Sequence, residues 1–143
     1  MIYLDQSATS LTKPPQVLRA VQQALTGQLG NPARGAHGAS LAALKALAQA
    51  RKTLAAYFGV QPLEVAFTPN ATLSLNMAIK GALGPADRVL TTCFEHNAML
   101  RPLYQLQDQG MALDVAPLGA DGAWSFSALR AALRPDTTAV ALN

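Results

Sequence analysis

A chain of 143 residues that is half apolar and 13% charged is long enough for one hydrophobic core and too apolar to be a disordered segment. Its net charge of +3 comes from eleven basic residues scattered singly against eight acidic ones, which argues against a nucleic-acid surface, and no run of about 18 apolar residues offers a membrane span. The opening Met1-Ile-Tyr-Leu-Asp5 lacks the basic and long apolar regions of a signal peptide, so a cytoplasmic protein is expected. Cys93 is the single cysteine, which excludes an intrachain disulfide and leaves a cysteine-based zinc site short of ligands. His37 and His96 are the two histidines and stand far apart in sequence with no carboxylate cluster beside them, so no metal site is expected.

In chain order, an extended arm leads to Pro14-Pro15, where proline is tolerated in a first helical turn. Val17, Leu18, Val21, Ala24 and Leu25 then mark one helical face until Thr26-Gly27 ends it. The stretch Gly27 to Gly38 holds four glycines and a proline and reads as loop. The longest helix is expected at Ser40 to Phe58, with Leu44, Leu47, Leu54 and Phe58 packed into a core and Gly59 as its stop. From Glu64 the pattern changes to short apolar runs alternating with amphipathic helices. Strands are expected at Glu64–Thr68, Arg88–Thr92, Ala112–Ala116 and Thr138–Leu142, and helices near Thr72–Leu83, Ala98–Gln109 and Ser127–Leu133. Strand, helix, strand with connections of this length implies a largely parallel sheet covered by helices, an α/β layered architecture. Residues 1–143 read as one incomplete domain, with an N-terminal arm at 1–38 and the start of the sheet domain at 39–143. The final β run carries no turn or polar tail, so a further functional loop is expected beyond it.

Two of these strand-to-helix junctions carry the chemistry. At Thr68-Pro-Asn-Ala-Thr72, Asn70 can cap a helix whose first amides, those of Ala71, Thr72 and Leu73, point outward as donors beside the Thr72 hydroxyl, an arrangement that suits a phosphate. The same residues also make a plain strand-to-helix turn. At the next junction His96 follows Glu95, and its imidazole can stack on a flat heterocycle and pass protons, or cap a helix, or fill a core. A phosphorylated aromatic cofactor would fit between the two. In the glycine-rich loop, Arg34 can clamp a carboxylate or sit on the surface, with His37 close by, and Asp5 can order the arm or be a solvated charge. Cys93 ends an apolar-flanked run and reads as a small strand residue in preference to a reactive thiol. No dinucleotide or Walker glycine pattern is present.

Five separated motifs resemble one family: Ile2-Tyr-Leu-Asp-Gln-Ser-Ala-Thr-Ser10 with Lys13-Pro14, Gly30-Asn-Pro-Ala-Arg-Gly-Ala-His37, Phe67-Thr-Pro-Asn-Ala-Thr72, Leu75-Asn-Met-Ala-Ile-Lys-Gly81 and Glu95-His-Asn-Ala-Met-Leu-Arg-Pro-Leu103. Together they look like the N-terminal part of a class V aminotransferase-fold enzyme of the cysteine desulfurase and selenocysteine lyase branch. The resemblance implies the large domain of fold-type I enzymes and pyridoxal 5′-phosphate as cofactor. The implied activity is conversion of L-cysteine to L-alanine, with the sulfur carried as an enzyme persulfide toward an acceptor protein. It further implies a homodimer, phosphate binding at Ala71 and Thr72, and ring stacking with proton transfer at His96. Ala8 and Thr9 would line the substrate pocket, and Arg34 and His37 would lie near the site mouth and the dimer interface. The arm reads Asp5-Gln6-Ser7-Ala8-Thr9 where the family usually has Asp-Asn-Ala-Ala-Thr. The family's ring-nitrogen aspartate, Schiff-base lysine and persulfide cysteine fall beyond residue 143, and Lys13, Lys45, Lys52, Lys80 and Cys93 do not occupy those motifs. The segment alone is therefore expected to be inert, and other class V chemistries (aminotransferase, epimerase, kynureninase-like) or a non-catalytic assembly module stand as alternatives.

Overall fold

A computed structural model describes residues 2–27 and 29–142, so Gln28 of the expected loop lies outside the described residues. The chain divides into two compact units, Met1–Ala66 and Phe67–Asn143.

The first unit is helical. Helix α1, Pro15–Thr26, starts on a proline whose missing N–H costs nothing there, and it closes where the Gly27 amide donates to the Gln23 carbonyl at 2.8 Å. A Cβ on Gly27 would stand 2.6 Å from that same oxygen, so this stop accepts glycine alone. Helix α2, Gly38–Phe58, ends on Gly59, whose φ of 69° is the left-handed conformation that lets its amide turn back to the Ala55 carbonyl. The expected core role for the α2 leucine stripe is not what the structure shows. Leu44, Leu54 and Phe58 are exposed, and within the helix only Ser40 and Ala55 are buried. A helical stripe is covered only when a second layer packs on it, and the described residues of this unit form no strand. Nor do residues 64–68 form a strand. Pro62–Glu64 is a 3-10 turn, held because the Glu64 carboxylate accepts the Gln61 amide at 2.7 Å, and residues 65–68 follow it without ladder pairing. Local side-chain capping outcompetes the β pattern there.

The second unit is a three-stranded parallel sheet in the order β2-β1-β3, with β1 at Arg88–Thr91, β2 at Ala112–Val115 and β3 at Ala139–Val140. Helix α3 (Ala71–Ala82) precedes β1, α4 (Asn97–Asp108) crosses from β1 to β2, and α5 (Phe126–Ala132) crosses from β2 to β3. Adjacent strand residues point to opposite faces, so Val89 and Leu90, both wholly buried, feed two cores. Val89 packs with Ile79, Met99, Leu103, Leu106 and Met111 under α3 and α4, while Leu90 packs with Ala116 and Leu129. Burial on both faces is what a parallel strand requires. Arg88 ties the strands together: its Nη1 donates to Asp114 Oδ2 and its Nε to Asp136 Oδ2, each at 2.9 Å, and Arg134 Nε reaches Asp114 at 3.3 Å. No helix among the described residues is long and apolar enough to cross a membrane.

Candidate functional site

Asn70 caps α3 as its sequence implies, its side-chain oxygen accepting the Leu73 amide at 2.9 Å. That bond corrects one expectation: Leu73 is not a free donor. The amides of Ala71 and Thr72, which have no acceptor within the helix, remain at the helix start. Thr68 rigidifies the preceding turn by donating its hydroxyl to the Asn70 carbonyl at 3.0 Å, so the 2.5 Å contact between Thr68 and Ser74 hydroxyls is a donation from Ser74. The Thr72 hydroxyl has no intramolecular partner among the described residues and is exposed.

Strand β1 leads through the turn at residues 92–95 to His96, the N-cap of α4. Its Nδ1 accepts the Ala98 amide at 3.0 Å, which in the neutral ring puts the proton on Nε2. Of the alternatives open for this imidazole, capping is therefore realised, and it leaves the ring exposed and oriented by its own backbone. Cys93, expected at a strand end, lies past the strand on an exposed turn. The ladder ends at Thr91, whose hydroxyl donates to the Ala141 carbonyl, so Cys93 has no pairing to hold it in the sheet.

Thr72 and His96 line the same cavity of about 390 Å³, together with Asn76 and Lys80 from α3 and Asn97, Ala98, Arg101 and Gln105 from α4. Thr72, Asn76 and Lys80 fall four residues apart, as do Asn97, Arg101 and Gln105, so two parallel helices present one polar stripe each to a shared groove. Two cations and no carboxylate stand on its wall, and both helix N-termini add partial positive charge at one end. The cavity is of the size that takes small organic ligands, and the Thr72 hydroxyl, two helix-start amides and a ring-bearing donor suit a phosphorylated heteroaromatic group. The stripe residues Asn76, Lys80 and Arg101 lie within the motifs quoted above but carry no role there, and Gln105 lies outside them; stepping by four from Thr72 and Asn97 would have found all four.

The remaining predicted residues belong to the first unit. Ala8 and Thr9 sit in a turn in which both amides donate to the Asp5 carbonyl, at 3.3 and 3.4 Å, and the Thr9 carbonyl accepts the Tyr3 hydroxyl at 2.9 Å. Asp5 thus orders the arm through its backbone. His37 braces its own loop. Ser40, 2% exposed, gives its hydroxyl proton to the Arg34 carbonyl at 2.9 Å and so accepts from His37 Nε2 at 3.0 Å. The imidazole lies against Gly30 and Gly35, where an added Cβ would meet it at 3.1 and 3.0 Å, and Gly35 also has a φ of 99°. The Arg34 guanidinium has no ion-pair partner among the described residues.

A parallel α/β sheet with two helix starts opening on a basic groove, past the C-terminal end of its central strand, defines a class: a layered α/β protein with a polar groove at its strand ends. The aminotransferase class-V family model matches residues 2–143, and the chain belongs to that family. It is 38% identical to the mitochondrial cysteine desulfurase of Arthroderma benhamiae across 99% of this chain and 29% of that protein. The apo structure of a cysteine desulfurase from Thermococcus onnurineus NA1 matches 99% of this chain and 36% of its own, with a TM-score of 0.81 and 29% identity. SspA in complex with cysteine matches 90% of this chain and 38% of its own at a TM-score of 0.73 and 29% identity. The fold is thus part of the large domain of fold-type I enzymes, and the chain spans about a third of the length of these proteins.

Proposed function

We propose that this chain is the N-terminal portion of a pyridoxal-phosphate-dependent cysteine desulfurase, a cytoplasmic homodimer that takes sulfur from L-cysteine and passes it to an acceptor protein. The observation that carries the reading is the single cavity lined by Thr72 and His96, two positions 24 residues apart that the resemblance assigned to the same cofactor. The Ala71 and Thr72 amides and the Thr72 hydroxyl would hold the phosphate, with Lys80 and Arg101 adding charge along the groove. His96 would lie against the ring, holding a proton on Nε2 that it can lend to a neighbouring atom. Pyridoxal phosphate, when bound, supplies the electron sink for chemistry at the amino-acid α-carbon. Ala8, Thr9, Arg34 and His37 are proposed to border the substrate or the dimer interface. Similarity to cysteine desulfurases over nearly the whole chain supports the choice of substrate.

Thr72 provides the direct test. Thr72→Val removes one hydrogen bond to a charged oxygen, so affinity for pyridoxal phosphate, followed by absorbance, is expected to fall roughly tenfold or more. Affinity for pyridoxal, which lacks the phosphate, should not move, and an equal loss for both would place the phosphate elsewhere. The 143-residue chain by itself should release no sustained alanine from L-cysteine plus pyridoxal phosphate. Lys80 is the one lysine on the cavity wall and stands two helical turns, roughly 12 Å along the axis, from Thr72. Steady alanine production by this chain would overturn its inertness, and a different product from a longer polypeptide carrying it would overturn the desulfurase reading.

A further inference from the structure

The turn that carries the chain from β1 to His96 is fastened at its two ends. Thr92 and Glu95 stand there, 5% and 9% exposed, while Cys93 and Phe94 at the tip and His96 just beyond are exposed. The Thr92 hydroxyl donates to Glu95 Oε1 at 2.7 Å and accepts the Phe94 amide at 3.3 Å. One residue upstream, the Thr91 hydroxyl donates to the Ala141 carbonyl at 2.9 Å and ties the end of β1 to the chain leaving β3. Glu95 Oε2 is buried with no hydrogen-bond partner. A buried carboxyl with one oxygen unbonded costs stability, and a hydrophobic side chain of similar volume would fill the place at less cost. Neither Thr92 nor Glu95 lines the groove that holds Thr72 and His96, so contact with a ligand there does not explain the carboxyl either. Its bond to Thr92 closes the turn whose next residue is His96.

We propose that Glu95 is a positioning residue for His96. By holding Thr92 it fixes the exit of the turn, and with it the direction in which the imidazole leaves the start of α4. The ring is thereby set at two points: its backbone by the Thr92–Glu95 clasp, and its rotation by the bond from the Ala98 amide to Nδ1 at 3.0 Å. With the clasp open, residues 93–95 gain conformational freedom. His96 then leaves the φ of −68° and ψ of 148° that its cap requires, and the Ala98 bond is broken for part of the time. Either ring nitrogen can then face the groove. The role of Glu95 rests on the reading of His96 as a cofactor residue, since Glu95 itself lines no part of that groove.

The test combines Thr92→Val with Glu95→Leu. Both partners of the clasp become apolar at similar volume, so the urea midpoint should stay near that of the unsubstituted chain. Nitrogen–proton spectra at about pH 9, where an ordinary imidazole is neutral, read the ring with no cofactor present. The unsubstituted chain is expected to show His96 as one tautomer with widely separated ring-nitrogen shifts, and a protected Ala98 amide. In the double variant the shifts should move toward each other, and the Ala98 amide should exchange roughly five- to tenfold faster, the factor for one hydrogen bond. His37, braced by Ser40 in the other unit, should not change. Glu95→Gln keeps an oxygen for the Thr92 hydroxyl and should preserve both signals. Thr92→Val and Thr92→Ser open and keep the clasp from the other side, so the comparison survives a Glu95 variant that fails to fold. The absorption change on adding pyridoxal phosphate should be reduced wherever the two signals are lost. Unaltered His96 and Ala98 signals in the double variant would overturn the proposal, as would their loss in Thr92→Ser or Glu95→Gln. If the signals respond as expected but pyridoxal phosphate gives no absorption change even with the unsubstituted chain, the positioning of the ring stands and the cofactor reading fails.

Discussion

His96 shows how one side chain is given two tasks by its position. Its Nδ1 is committed to the Ala98 amide at the start of α4, so only the Nε2 edge is left to face the groove. Removing the ring therefore has two consequences that can be separated. His96→Ala is expected to cost about 1 kcal/mol of stability in urea unfolding through the lost cap. His96→Asn should recover most of that loss, since asparagine caps well, yet it should not restore the absorption change on adding pyridoxal phosphate. If the asparagine variant restored both, the imidazole would be a cap and nothing more. The capping role was one of several legible in the sequence. Its realisation was not, because it depends on the ring turning back onto its own helix.

Elements in the second unit are joined by charge as well as by ladder bonds, and the pH response of that joint has a definite sign. The Arg88 guanidinium, hydrogen-bonded to Asp136, holds that carboxyl below its ordinary value of 3.8, and the same hydrogen bonds to Asp114 and Asp136 raise Arg88 further out of reach of titration. A carboxyl with a lowered folded value contributes stability that is fully present above 3.8 and disappears as the pH falls through the folded value. Asp136→Asn should therefore lower the unfolding midpoint at neutral pH by a small amount, since the pair is exposed. The difference from the unsubstituted chain should close once the pH has fallen below the folded value. A difference that persisted there would mean that Asp136 acts through packing or backbone geometry. The helices either side of β1 began and ended within one residue of their expected bounds: Thr72–Leu83 became Ala71–Ala82 and Ala98–Gln109 became Asn97–Asp108. Caps are local, and local chemistry can be read in a sequence. The strand expected at Glu64–Thr68 failed because its pattern was equally compatible with a proline-started turn, and Glu64 selected that turn.

For the molecule as a whole, the two units differ in how far they bury their apolar residues. The sheet unit has a fully buried layer, with Val89, Leu90 and Leu103 at 0% exposure, whereas α1 has no buried residue at all. Leu103→Ala in the sheet unit should cost about 2–5 kcal/mol in denaturant unfolding, the range for a cavity in a close-packed core. A cost under 1 kcal/mol would show that α4 repacks freely. The equivalent change at Leu44 on exposed α2 should cost far less in the same measurement.

The layered α/β class, the parallel sheet implied by alternating strands and helices, the cap at Asn70 and the stop at Gly59 were all legible in the order of residues. It also determined the family, because motifs spread from Ile2 to Leu103 carry the resemblance. Packing was needed to bring Thr72 and His96 to one cavity, to make its wall basic with Lys80 and Arg101, and to leave Cys93 outside the sheet. It alone decided that Glu95 Oε2 and Trp124 Nε1 are buried without hydrogen-bond partners. Caps, stops and periodicity act between residues a few places apart and leave their signature in the order of the chain. A cavity wall is built by side chains from different elements, and which of them meet is set by how helices and strands pack.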